Sequence, residues 1–128
     1  MSEHPNAAAF RQAIADLMQG NLETFGDLLS TDVVWHEAGN PRPLRGRDAV
    51  MDMFAGLLGS GLEFEDELHE VLANDEHLVA LIWGRIRKGD GEIVYPVVEV
   101  AHFRDGKMTE RWALMDAVPE DVTAFFSD

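Results

Sequence analysis

A chain of 128 residues with 46% hydrophobic content is long enough for one domain with its own core and too apolar for intrinsic disorder. It contains no cysteine, which excludes disulfides, thiolate catalysis and Cys-ligated zinc. Its net charge of −14, from 24 acids against 10 bases, repels phosphate backbones and anionic lipid, so neither nucleic acid nor membrane is an expected partner.

The N-terminal segment holds no long apolar run, and a soluble cytoplasmic protein is the expectation. Phe10, Ile14 and Leu17 recur at helical spacing, with Gly20 placed to end that helix. Asn21 is suited to cap a second short helix whose inner face carries Leu22, Phe25, Leu28 and Leu29. A strand over residues 32–37 follows and breaks on the proline loop at 40–43. Val50, Phe54, Leu57 and Leu58 then repeat as a third helix, closed by Gly59 and Gly61.

Beyond this helix the hydrophobic period changes from 3.6 to 2. Residues 62–73 read as a strand, and the acid-rich "EFEDELHE" (63–70) within it as a solvated strand kept soluble by charge. "HLVALIWGRIR", "EIVYPVVEVAHF" and "MTERWALMD" supply three more strands, joined by the turns "KGDG" and "RDGK". Pro119 with Glu120 and Asp121 can start a last short helix over 122–126. Helices segregated from an antiparallel meander mean α+β. With no linker or internal repeat, one domain over 1–128 is expected.

Alternation assigns the faces. Leu78, Ala80, Ile82, Gly84 and Ile86 are apolar throughout and should face the helices. Ile93, Tyr95, Val97, Glu99, Ala101 and Phe103 share a face, on which Glu99 stands alone among apolar residues; Pro96 marks a bulge or edge position. Val33, Trp35 and Glu37 share a face of the first strand. A curved sheet with helices on its concave side makes a cone, and its apolar interior would hold Glu37 near a strand end and Glu99 mid-strand.

The strings "DVVWHEAGNPRPLRGRDAV", "LHEVLANDEHLVAL" and "VAHFRDGKMTERWALMD" resemble SnoaL-like proteins of the nuclear-transport-factor-2-like superfamily, as do the element order and length. That superfamily also holds ketosteroid isomerases, scytalone dehydratase and limonene epoxide hydrolase. The resemblance covers nearly the whole chain and implies a cone-shaped curved antiparallel sheet wrapped around N-terminal helices. Under it, Glu37 falls where the isomerases carry their general base. Glu99 falls where they carry a second, protonated acid. Their oxyanion-hole Tyr would sit about where Ala13 stands, so that constellation is incomplete here.

The site expected is therefore a cavity for a small hydrophobic molecule, with no cofactor and no metal. Two carboxyls in one apolar space push each other's pKa values apart, one acting as base and the other as donor. Glu37, Glu99 and Arg111 are the candidate catalytic residues. Trp35, Phe54, Ile82, Ile86, Tyr95 and Met115 are the candidate lining. Arg111 alternates with Ala113 and Met115 and has two open readings: a buried cation paired with Glu99, or a surface residue on the outer face. His36 points away from Glu37 and reads as a structural histidine, and His102 shares that reading. With Arg111 inward, Trp112 faces outward with Trp83, and two tryptophans on an outer sheet face point to a partner surface, most simply a homodimer. A non-catalytic binding or dimerisation module of the same fold is the rival reading.

Overall fold

In the computed structural model, which describes residues 3–38 and 40–115, helices α1 (Pro5–Met18), α2 (Glu23–Leu28) and α3 (Arg47–Leu58) pack on one sheet. Its strands are β1 (Leu29–His36), β2 (Leu44–Arg45), β3 (Glu63–Ala73), β4 (His77–Lys88), β5 (Gly91–Arg104) and β6 (Lys107–Leu114), ordered β2-β1-β6-β5-β4-β3. The expected final helix at 122–126 lies outside the described residues.

The local signals that place these elements are visible residue by residue. The Nδ1 of His4 accepts the amide of Asn6 at the start of α1, beside Pro5 at the first helical position. Gly20, at a φ of 83°, ends it: its amide bonds Leu17 O while that of Asn21 bonds Asp16 O. The N-cap of the next helix is Leu22, one residue later than expected, and Asn21 just before it accepts the Glu23 amide on Oδ1 at 3.0 Å. The "RDGK" turn carries φ of 51° at Asp105 and 78° at Gly106, the left-handed pair that a two-residue hairpin requires.

Strands β3 to β6 form the antiparallel meander read from the sequence. Three details differ. The strand expected at 32–37 begins at Leu29, which leaves the helix to pair with Met108, and it ends at His36. It runs parallel to β6, so the curved sheet is mixed. The dipeptide strand β2 pairs Leu44 with Trp35 on the far side. Of the two positions open to Pro96, the edge one holds: the β4–β5 register runs unbroken through Trp83↔Pro96, and on its other flank β5 meets β6 only from Val98 onward. There the missing amide costs no described ladder bond.

The core lies between helices and sheet. Phe10, Leu17, Phe25, Leu29, Val33, Val50, Leu78 and Met108 are fully buried. The inward set of β4 is as read: Leu78, Ala80, Ile82, Gly84 and Ile86 are all buried. Leu58 is not on the inner face of α3; it is exposed at the helix's last turn.

Candidate active site

The concave face and the helices enclose a cavity of about 330 Å³. Ile14 and Leu17 of α1, Phe25 of α2, and Met53, Phe54 and Leu57 of α3 supply one wall. Phe25, Trp35 and Phe54 meet edge to face, with centroids 5.0–5.7 Å apart, which fixes three large rings against one another. The sheet supplies the opposite wall, and that wall carries the polar groups: Glu37, Asp66, Tyr95, Glu99 and Arg111. A smaller cavity of about 120 Å³, lined by the same five residues together with Ile82 and Met115, adjoins it.

Arg111 is the centre of this polar wall. In the β5–β6 register Ala101 faces Arg111 and Ala113 faces Glu99, so Glu99 and Arg111 are diagonal neighbours on the inner face. Both are buried. Nε of Arg111 donates to Glu99 Oε1 at 2.9 Å, and Nη2 donates to the same oxygen. Nη1 donates to the backbone oxygen of His36 at 3.0 Å and lies 3.7 Å from Glu37 Oε1. The guanidinium sits 4.1 Å above the Trp35 ring centroid, a cation–π contact in a desolvated setting. Of the two readings of Arg111, the buried one holds. Glu99 is the carboxyl partner that this buried reading of Arg111 requires.

Glu37 lies one residue past the end of β1, on the same side as Trp35. Its Oε1 accepts the Trp35 indole N–H at 2.5 Å, while Oε2 has no hydrogen-bond partner among the described residues. With 39% of its side chain still exposed, Glu37 marks where the cavity opens to solvent.

Trp112 and His36 fall on the other face. The His36 ring stacks on Trp112 at 5.1 Å and 3° and bonds Glu110 Oε2 at 2.7 Å, a structural role as read. His102 touches Trp112 and His77 edge to face on that outer surface. Trp83 is exposed there beside Leu81, Val94 and Leu114.

The sequence profile of the SnoaL-like domain matches residues 9–111. The chain belongs to the SnoaL-like family. No curated protein matches it in sequence. Among solved structures it is similar to a putative SnoaL-like polyketide cyclase from Jannaschia sp. CCS1, with a TM-score of 0.79 at 13% identity over 100% of this chain and 99% of that one. An M. tuberculosis LEH-like epoxide hydrolase gives a TM-score of 0.77 at 19% identity, covering 87% of this chain and 82% of that one. IdmH, a putative polyketide cyclase from Streptomyces antibioticus, gives 0.71 at 17% identity, covering 88% and 93%. At such identities the likeness is one of fold, that of the nuclear-transport-factor-2-like superfamily.

Of the lining expected for this SnoaL-like chain, Trp35, Phe54, Ile86 and Tyr95 border the main cavity. Ile82 and Met115 border the smaller one. Asp66 is the residue that sequence reasoning missed, because "EFEDELHE" reads as a solvated run. Glu63, Glu65, Glu67 and Glu70 are indeed exposed, but Phe64, Asp66 and Leu68 alternate with them and point inward. That alternation was the available signal. Burial raises the Asp66 carboxyl to about 7, with the charge of Glu99 adding to the rise and Arg111 opposing it. Burial likewise lifts the Tyr95 phenol to about 12, helped by Asp66, Glu37 and Glu99 against Arg111.

Proposed function

We propose that this SnoaL-like protein binds a small hydrophobic molecule in the 330 Å³ cavity and performs cofactor-free acid–base chemistry on it. The observation that carries the reading is the convergence of a partly solvated carboxylate, Glu37, and a buried cation, Arg111, on one otherwise apolar space. Glu37 Oε2 is the base. Arg111, held rigid by Glu99, supplies a fixed positive charge where dielectric screening is weak, which favours negative charge developing on the substrate. The reaction classes that fit are isomerisation, ring closure, dehydration and epoxide opening. The names of the similar structures, polyketide cyclases and an epoxide hydrolase, agree with the second and fourth.

Glu37→Gln keeps shape and hydrogen-bond acceptance but removes the base. Screened against enolisable polyketones, cyclic enones and apolar epoxides, the wild type should turn over one class, and Glu37→Gln should lower kcat roughly 10²–10⁴-fold with an unchanged circular dichroism spectrum. Undiminished turnover by the variant rules Glu37 out as the base.

A second reading, a non-catalytic binding module, draws on the contacts Glu37 already makes with Trp35 and Arg111, which would hold it as a wall residue. It predicts ligand binding with no product in the same screen. Either way we propose a cytoplasmic homodimer formed through the outer sheet face around Trp83 and Trp112. Sedimentation at micromolar concentration should give twice the chain mass, and a monomer would exclude it.

A further inference from the structure

The donors in the polar wall are unevenly committed. Arg111 carries the only formal positive charge there, yet its Nε, Nη1 and Nη2 are already directed at Glu99 and at the carbonyl of His36. The Trp35 N–H is used by Glu37. Among the described residues, two cavity groups have no hydrogen-bond partner on any side-chain oxygen: Asp66 and Tyr95.

These two are brought together by the sheet. Asp66 on β3 pairs with Gly84 on β4, and Gly84 pairs with Tyr95 on β5, so the three form one row across the inner face. A Cβ at position 84 would lie 2.9 Å from Tyr95 Cζ and 3.2 Å from its hydroxyl oxygen. The Tyr95 ring therefore lies over Gly84 toward Asp66, and the absence of a side chain at 84 is what allows it. We propose that Asp66 and Tyr95 are a pair of neutral O–H donors that hold a substrate oxygen as it becomes negatively charged, with Gly84 as the saddle between them.

The assignment rests on the acid–base reading above and says where the oxygen is held. When Glu37 Oε2 removes a proton from carbon, the C–H electron pair forms a C=C bond. The carbonyl π pair moves to oxygen, and that oxygen accepts the two O–H donors. The charged and titratable groups facing Asp66 are Glu99 and Tyr95 from β5, Arg111 from β6 and Glu37 beyond β1. Gly84 of β4 and Ile14, Leu17 and Met18 of α1 bring none. Among the described residues no histidine lines the cavity, and Asp66 is the carboxyl there that burial raises to about 7.

Calorimetric titration with two probes of one shape tests the pair: a nitronaphtholate, ionised throughout the pH range used, and nitronaphthalene, which lacks the oxyanion. In the wild type the naphtholate should bind more tightly below pH 7 and lose about tenfold per pH unit above it, as Asp66 ionises. Asp66→Asn, which keeps an N–H donor, should flatten that profile. Tyr95→Phe should weaken the naphtholate roughly ten- to a hundredfold at every pH while retaining the profile. Nitronaphthalene should bind all three proteins alike. An unchanged profile in Asp66→Asn, or no loss in Tyr95→Phe, overturns the donor pair. If nitronaphthalene binds and the naphtholate gains nothing over it, the cavity stands and the donor pair falls. If neither probe binds, the cavity reading itself falls and the pair with it.

Discussion

Replacing Arg111 with Met should destabilise the protein by about 3–5 kcal/mol in urea unfolding, one of the largest effects available from a single side chain here. Met matches the length of the Arg stem and fills the space over Trp35, so little of the loss comes from packing. What remains is Glu99, buried, with its Oε1 stripped of two N–H donors and no other cation beside it among the described contacts. The carbonyl of His36 at the end of β1 loses its donor as well, and β1 is tied to β6 through Trp35↔Arg111 and its neighbours. The cation–π contact at 4.1 Å goes too. A second substitution separates these terms. Arg111→Met with Glu99→Leu removes both charges, and most of the loss should return, because an apolar pair of similar volume needs no mutual compensation. If the double variant is no more stable than Arg111→Met alone, the buried charge is not what Arg111 neutralises.

That pair illustrates how far the sequence can be read. Periodicity is a local property, and it placed Glu99 correctly: a lone acid among Ile93, Tyr95, Val97, Ala101 and Phe103 must share their face. It placed the apolar stripe of β4 and the hairpin turns for the same reason. Arg111 was undecidable locally, because in "ERWALM" one face carries Arg111, Ala113 and Met115 and the other Glu110, Trp112 and Leu114, each a charge beside apolar residues. Its orientation follows from the β5–β6 register, which sets Ala101 opposite it and Glu99 on the diagonal. The parallel pairing of β1 with β6 is likewise non-local, joining residues about seventy-five apart such as His36 and Trp112. The dipeptide β2 is too short for any period to declare itself.

Asp66 was lost for a different reason. The alternation Phe64, Asp66, Leu68 was present, but the density of charge around it outweighed the phase. Composition reports the average of two faces, whereas function here resides on one of them. Ala13, where the resemblance would put the isomerases' oxyanion-hole tyrosine, is buried in the core at 0% exposure, and the only tyrosine of the chain, Tyr95, lies on β5 in the cavity. The chain thus keeps an apolar cone with a carboxylate at its opening, and its polar complement is distributed over β3, β5 and β6.

Asp66→Asn should make the protein more stable, and increasingly so as pH rises from about 4 to about 7. The folded chain holds the Asp66 proton up to about 7, whereas the unfolded chain releases it near 3.8. Between those values the native state binds more protons than the unfolded state, so wild-type stability falls with rising pH across that window and is level above it. Asparagine has the same shape and no proton to lose. Its advantage should therefore be small near pH 4 and grow to on the order of 4 kcal/mol by pH 7.5. That is a large share of the 5–15 kcal/mol typical of a domain. Urea midpoints of the two proteins at half-unit pH steps give the curve directly, with Glu99→Gln as the control. Removing that neighbouring charge should lower the Asp66 transition, because Glu99 is the second cause of its rise. A stability difference that does not vary between pH 4 and 7.5 would mean that Asp66 is solvated and ionised in the folded protein, as the rest of its acidic run is. Such a cost to stability is what a carboxylic acid kept for the proposed acid–base chemistry would entail, since its proton is held loosely at neutral pH.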